Sequence, residues 1–411
     1  MGRPARLPGT PPVDQLVCHV DADCFYAACE RLREPALRGK PVVVGMGYEP
    51  GADSGAVATA SYEAREFGVE SAQAISEALE RLPRKIEAAK RDDLDVAEAA
   101  FYRPVDIEFY ESIAAEVREI LHDRADVVRE VSIDEAYLDV TEQTDWDEIA
   151  EFARQLKTEI AETVGVTVSI GVAPTMSAAK VASDQDKPDG LVVVRPDEVA
   201  DFFAPLGVND VHGVGPVTAD RLREHGIETA GDLAQSDPSV LDELFGERGR
   251  RIYRYARGED ERAVEPRGKP KSFSRESAFS DPTSDRERQR DRIRTLAAAV
   301  ATRASRRDVL YQTIGVKVVT PPFDVNTREQ SLPGPVTDAD LVERVALDLF
   351  EEFEGQRIRK LGVRVSNLSF AAETQSQLAQ WKSERDGDES ARRSRSKRRK
   401  RPRQRSLTEF E

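Results

Sequence analysis

The sequence predicts an α+β protein built on a ferredoxin-like, split-βαβ domain, followed by a helical helix-hairpin-helix domain and a second α+β domain. Three observations carry this. Apolar periodicity gives the order strand, helix, strand, strand, helix, strand between Val17 and Val172. A Gly-rich turn, Val211-His212-Gly213-Val214-Gly215-Pro216-Val217-Thr218-Ala219, opens a helix. From residue 286 to 368, helical and alternating patterns succeed one another twice.

Residues 1–15 are rich in Pro and Gly and read as disordered. Val17-Cys18-His19-Val20 is a short apolar run of a buried strand, with Asp21 following at its end, and Phe25 to Arg33 reads as a helix. Pro41 to Gly45 and Ala56 to Ala60 are strand-like; Ser61 to Gly68 is a helix with Gly68 as its stop. Ile75 to Arg103 is acidic and helical in pattern, punctuated by Pro83 and Pro104. Ile107, Tyr110, Ile113, Ala114, Val117, Ile120 and Leu121 mark an amphipathic helix, as do Ile149, Phe152, Ala153, Leu156 and Ile160. Between these helices, strand-like Val127 to Val131 and Ala136 to Val140 flank a bend at Asp134-Glu135, and Val166, Val168, Ile170 and Val172 alternate as a further strand. Lys180 lies in a short helix, and Lys187-Pro188-Asp189-Gly190 is a turn. A helical domain begins near Asp197, and a linker follows to residue 277. The last domain reads as helix 286–307, strand 313–319, helix 338–353 and strand 360–368.

Composition bounds the setting. The N-terminus is Pro-rich and polar, and no apolar run approaches membrane length, which reads as a cytoplasmic protein with no membrane contact. Cys18, Cys24 and Cys29 lack the paired spacing of a zinc site and read as small buried hydrophobes. Net charge is −16, yet Ala391 to Arg405 holds ten Lys or Arg and no acid, so the remainder carries −26. With 13 Lys against 47 Arg, the acidic, Lys-poor body fits a protein living in concentrated salt, where screening makes self-repulsion tolerable. Overall charge therefore does not exclude nucleic acid as a partner.

Candidate chemistry centres on acids. If the first strand lies beside the bend, Asp21, Asp134 and Glu135 converge. Three hard carboxylates with room for water and phosphate suit Mg²⁺, and two such ions can clamp an in-line phosphoryl displacement. Any one of these acids alone reads equally well as a solvated turn residue. Tyr62 and Arg65 share a helix face and fit a phosphate clamp or an ordinary helix surface. Lys187 is either solvated or a point-charge partner of a triphosphate. Gly213 and Gly215 would let backbone N–H groups approach a DNA phosphate, against the plainer reading of a structural hairpin.

Three motifs, Asp21-Ala22-Asp23-Cys24-Phe25-Tyr26, Gly55-Ala56-Val57-Ala58-Thr59-Ala60-Ser61-Tyr62-Glu63-Ala64-Arg65 and Ser132-Ile133-Asp134-Glu135-Ala136-Tyr137, together resemble the Y-family DNA polymerases of the DinB (polymerase IV) group, in an archaeal, halophilic version. The resemblance runs from about Leu16 to Phe370. It implies a palm (16–24 and 104–196), small fingers (25–103), a thumb with the helix-hairpin-helix (197–262), a linker (263–277), a little finger (278–370) and a basic tail (371–411). It implies metal binding by Asp21, Asp134 and Glu135, with Glu135 also catalytic, and two Mg²⁺ ions per site. Tyr26 would be the steric gate against ribonucleotides, Phe25 its neighbour against the incoming sugar and base, and Thr59, Tyr62, Arg65 and Lys187 the triphosphate contacts. Asp23 belongs to the motif without being a metal ligand. The implied activity is template-directed, low-fidelity synthesis past damaged bases without proofreading, by a monomer acting on primer-template DNA and deoxynucleoside triphosphates.

Two features depart from the pattern. Pro83 to Pro104 is longer and more acidic than the family usually has, with no role assigned to it. The terminal Gln404, Leu407 and Phe410 resemble a sliding-clamp (PCNA) motif, with Glu411 where a second aromatic is common. Two other classes compete: a nucleotidyl cyclase on a related palm, which needs no primer, and a non-catalytic DNA-binding scaffold, which has no need of three converging acids.

Overall fold

The computed structural model describes residues 15–91 and 95–370. The chain divides at Arg267/Gly268 into two compact units. In the first, β1 (Val17–Ala22) leads into α1 (Phe25–Arg33), then β2 (Val42–Met46), β3 (Ala56–Ala60), α2 (Tyr62–Arg65), α3 (Ile75–Arg81), α4 (Lys85–Ala88) and β4 (Phe101–Pro104). Next come α5 (Ile107–Arg124), β5 (Val127–Glu130), β6 (Glu135–Asp139), α6 (Ile149–Thr163), β7 (Val168–Ala173), α7 (Met176–Gln185) and β8 (Leu191–Val193).

A five-stranded sheet has the order β5-β6-β1-β7-β8. Its first four strands have the split-βαβ arrangement the sequence predicts, with β1 and β6 adjacent at its centre. Both faces of β1 are covered, which is why all six of its residues, including the polar His19 and Asp21, are buried. Cys18, Val20 and Ala22 pack with Tyr110, Ala114 and Val117 of α5 and Ile149, Ala153 and Leu156 of α6. Val17, one step out of phase, joins the core formed with Ala178, Ala179 and Ala182 of α7. The period of two therefore turns His19 and Asp21 toward α7. Asp106 and Thr175 start α5 and α7 by accepting from the amides of Phe109 and Ala178.

A smaller sheet, β3-β2-β4, forms the other lobe. Here the helical reading of residues 75–103 is corrected. After α3 and α4 the chain becomes β4, parallel to β2, because buried Ala100 and Tyr102 pack on Tyr48 and Leu82. This stretch also acquires a role. The Arg84 guanidinium, buried, binds Asp53 at 2.8 Å, Glu87 at 2.7 Å and the Tyr48 hydroxyl at 3.2 Å, clasping the loop that precedes β3.

Among the described residues the unit continues with α8 (Val199–Phe203), α9 (Pro216–Arg223), α10 (Ala230–Gln235), α11 (Pro238–Phe245) and α12 (Glu247–Ala256). Phe203, Leu222, Leu233, Leu241 and Ile252 share the α7-side core.

The second unit contains β9 (Ser272–Thr283), α13 (Arg286–Ser305), β10 (Val309–Thr320), β11 (Asp324–Val336), α14 (Ala339–Phe350) and β12 (Ile358–Phe370). Its antiparallel sheet runs β11-β10-β12-β9, with the core that includes Ile293, Leu296, Val342 and Phe350 on the helical face. Two expectations change. Residues 272–277, read as linker, begin edge strand β9. The strand β11, absent from the sequence reading, is polar on both faces and carries Pro333 and Pro335, as an edge strand can. Of the segment 1–15 read as disordered, Gln15 is buried and donates to Asp139 at 2.9 Å; residues 1–14, the basic tail 371–411 and its clamp-like Gln404, Leu407 and Phe410 lie outside the described residues.

Candidate active site

Asp21 sits inside β1, not beyond it, and its register partner across the sheet is Glu135, the first residue of β6. The Ala22 amide donates to the Asp134 carbonyl at 2.9 Å. One rung of the ladder thus brings the backbone of the three predicted acids together; of their carboxylates, Asp21 and Glu135 fall in one tight ligand group with His19, while that of Asp134, bonded to Ser132, is not part of it. Asp21 is 9 % exposed, and Asp134 and Glu135 are half-buried.

Acids so placed need counter-charge, and α7 with the turn after it supplies two lysines. Lys180 Nζ lies 2.8 Å from Asp21 Oδ2, 3.2 Å from Glu135 Oε2 and 3.4 Å from Asp184 Oδ2. Lys187 Nζ lies 2.8 Å from Asp21 Oδ1 and 2.9 Å from Asp184 Oδ1. Burial alone would raise Asp21, but the two lysines outweigh it and hold its carboxyl below the usual range. Glu135 is held down to about 2, first by the His19 ring and then by Lys180, against burial. Asp134 goes the other way: burial, then the charges of Asp21 and Glu135, raise it, and the Ser132 hydroxyl only partly offsets them.

Lys180 and His19 are the residues sequence reasoning missed as part of this cluster. Signals existed. His19 is two residues from Asp21 on one strand, hence on one face, and Lys180, Asp184 and Lys187 follow helical spacing.

A second group forms around Asp23. Its carboxylate accepts from the Tyr62 hydroxyl at 3.0 Å, from Ser169 Oγ at 2.9 and 3.1 Å, and from the Asp189 amide at 2.9 Å. The Arg65 guanidinium lies 4.8 Å from the Tyr62 ring centroid, and its Nε donates to the Ala60 carbonyl at 3.0 Å. Asp23 therefore ties the Tyr62–Arg65 face to the turn that carries Lys187. Burial raises the Tyr62 phenol, with the Asp23 charge second.

The remaining predicted residues are placed as follows. Tyr26 is half-buried, its ring stacked on Tyr110 at 4.6 Å. Phe25, expected against an incoming sugar and base, is 2 % exposed in the core and lines a cavity with Ile133, Asp134 and Glu135. Thr59 is half-buried on β3, opposite Val44. Gly213 has φ +87, a conformation only glycine adopts readily, and its carbonyl accepts from Arg248 at 2.9 Å. Gly215 is the residue before α9, with nothing within 4 Å of where a Cβ would stand. These two form a separate group from the carboxylates.

The donor set suits a hard divalent cation: Asp21, Asp134 and Glu135 offer carboxylate oxygens only. Among the described residues, the one group of at least three metal-ligating side chains whose ligand atoms lie within 4.8 Å of one another is His19, Asp21 and Glu135. Such an arrangement can hold a cation beside an anionic substrate, with the lysines exchanging from carboxylate to phosphate.

Comparison with known proteins gives the same direction. The impB/mucB/samB family model matches residues 20–184, its C-terminal domain model residues 270–379, and the DNA polymerase-iota thumb domain model residues 209–260. A DNA polymerase IV of Halobacterium salinarum is 62 % identical over 384 residues, covering 93 % of this chain and 92 % of the relative. Among solved structures, the Y-family DNA polymerase chimera Dbh-Dpo4(243-245)-Dbh superposes with a TM-score of 0.74 at 30 % identity, covering 86 % of this chain and 99 % of its own. An insertion ternary complex of Dbh DNA polymerase gives 0.61 at 28 % identity, covering 86 % of this chain and 99 % of that one.

Proposed function

The chain belongs to the Y-family DNA polymerases of the polymerase IV (DinB) group and is a DNA-directed DNA polymerase, and on that premise we propose that it extends primers on damaged templates by two-metal-ion nucleotidyl transfer, at low fidelity and without proofreading. The observation that carries the mechanism is the Asp21–Glu135 rung with Asp134 beside it. These three would hold Mg²⁺, which when bound supplies Lewis-acid polarisation and neutralises phosphate charge.

The chain's own residues do the rest. Lys187 and Arg65 bring positive charge to the triphosphate, and the Tyr62 hydroxyl, steadied by Asp23, and Thr59 complete its cradle. With Asp21 shared between two lysines, an arriving nucleotide can draw Lys187 onto its phosphates without stripping the carboxylate of all counter-charge. Glu135, kept ionised far below neutral pH, remains available as a ligand. Tyr26, braced by Tyr110, is the gate: its ring would collide with a ribose 2′-hydroxyl. Tyr26→Ala should therefore incorporate ribonucleotides more readily, measured as the ratio of kcat/KM for dCTP and CTP; an unchanged ratio removes the gate from Tyr26. Backbone amides around Gly213 and Gly215 would grip a DNA phosphate without reading sequence.

We assign the palm to 16–24 and 104–196, the fingers to 25–103, the thumb to 197–262 and the little finger to the residues from 272, where β9 begins. Partners are primer-template DNA, deoxynucleoside triphosphates and, through Gln404, Leu407 and Phe410, a PCNA-type clamp; deletion of residues 404–411 should abolish clamp-stimulated synthesis. No helix among the described residues is long and apolar enough to cross a membrane, and we place the activity in the cytoplasm, in a monomer.

The direct test is extension of a labelled primer with Mg²⁺ in concentrated KCl, beside Glu135→Ala. Extension that disappears in the variant supports the reading; extension that persists in Glu135→Ala removes the carboxylate site.

A further inference from the structure

β1 turns a second side chain toward α7. His19 is fully buried, stands across from Tyr137 on β6 and Gly171 on β7, and leans on the Tyr137 ring at 4.5 Å between centroids. Its Nδ1 lies 2.8 Å from Ser183 Oγ. Its Nε2 is buried without a hydrogen-bond partner and faces Glu135 Oε2 at 3.4 Å. A buried ring nitrogen left without a full partner is unusual enough to need a reason.

Gly171 explains how α7 comes to supply these contacts. A Cβ at that position would stand 2.1 Å from the Ala179 carbonyl oxygen and 2.2 Å from the Ser183 amide nitrogen. Glycine thus lets α7 lie directly on the sheet, setting Ser183 against His19 and Lys180 against Asp21 and Glu135. The ring is held on one side by α7 and on the other by Tyr137, so Nε2 has a fixed place, 3.4 Å from Glu135 Oε2 without hydrogen-bond geometry to it.

We propose that His19 is a positioning residue for Glu135: clamped at Nδ1 by Ser183, it keeps the Glu135 carboxylate turned toward Asp21, so that both acids present oxygens to one cation before nucleotide arrives. This rests on reading Asp21, Asp134 and Glu135 as the cation site. A carboxylate facing the ring favours the tautomer with its proton on Nε2, and the Ser183 hydroxyl, otherwise 2.8 Å from the Lys180 carbonyl, can turn its hydrogen to Nδ1. Apo contacts of this kind are commonly long and shorten once the site is assembled. Without the ring, Glu135 is free to follow Lys180 alone, and the two acids lose their common aim. Groups that orient metal-binding side chains in this way typically change metal affinity or activity by 10- to 100-fold when removed.

The test uses His19→Gln and His19→Asn in the full chain. The glutamine amide reaches the place of Nε2 and keeps the contact with Glu135; the asparagine amide reaches only the place of Nδ1 and keeps Ser183. Both bury one amide, so a general folding defect affects them alike. Two quantities are measured: Mn²⁺ binding by electron paramagnetic resonance without DNA, and single-nucleotide insertion with Mg²⁺. The expected result is a loss of roughly 10- to 100-fold in Mn²⁺ affinity and kcat for His19→Asn, with little change in KM for nucleotide, and substantial recovery of both in His19→Gln. Equal Mn²⁺ affinity and equal kcat in the two variants, whether high or low, overturn the proposal and leave His19 as packing. A Glu135→Ala control that binds Mn²⁺ and extends primers like the unaltered protein overturns the carboxylate reading itself, a distinct failure.

Discussion

Asp21 and Asp23 stand two residues apart in one motif and both are buried, at 9 % and 7 % exposure, yet their surroundings differ in kind. Asp21 is met by two ammonium groups, each within 2.8 Å. Asp23 is met by neutral donors: two hydroxyls and a backbone amide. A mobile lysine can be replaced by a metal ion or drawn off by a phosphate, whereas a carboxylate saturated by fixed hydrogen bonds has nothing to exchange. Position in the motif does not distinguish ligand from brace; the partners do.

Breaking the first member of the pair should have the largest effect. Asp21→Asn removes a charge from the cation site and is expected to lower the insertion rate on the order of a thousand-fold, equivalent to several kcal/mol of transition-state stabilisation, with DNA binding retained. Loss of both activity and DNA binding would mean that Asp21 is structural.

The next effect is read in acid. Glu135 drops from its ordinary 4.5 to about 2 in the folded protein, so its stabilising contribution is present above the unfolded value and is lost as pH falls through the folded one. The drop corresponds to about 3 kcal/mol at most. Urea unfolding of the full chain and of Glu135→Gln should therefore differ at pH 6 and converge toward pH 2. A constant difference across that range would show that Glu135 gains nothing from His19 and Lys180.

Asp23→Ala should act mainly on stability and nucleotide affinity. Losing the acceptor leaves Ser169, the Asp189 amide and the Tyr62 hydroxyl without it, for about 2 kcal/mol in unfolding free energy, and KM for nucleotide should rise more than kcat falls. The mildest change is Tyr62→Phe, which removes one hydrogen bond to Asp23 and is expected to cost about 1 kcal/mol, seen as a several-fold higher KM. A KM unchanged in both variants would separate Asp23 from nucleotide binding.

The same contrast governs what was legible in the sequence. Elements with one strong apolar period, such as α1, α5, α6 and β7, read close to their true limits because burial imposes the pattern. Asp21 was read as lying past β1 because acids are poor strand formers, while the structure keeps it in the ladder through its pairing with Glu135. β4 followed an acidic, helix-like run, and β9 and β11 are edge strands with much polar exposure, so neither period marked them. The acids and the motif residues were visible through the family resemblance. His19 and Lys180 were not singled out, because their part depends on how closely α7 lies on β7 at Gly171, a tertiary fact.

The most direct measurement is single-turnover insertion at saturating nucleotide and Mg²⁺ in concentrated KCl, with Asp21→Asn and Asp23→Asn side by side on one primer-template. The account predicts that Asp21→Asn yields essentially no product while Asp23→Asn inserts within about tenfold of the unaltered rate, its defect confined to affinity. Equal loss of rate in the two, or insertion by Asp21→Asn, would contradict it.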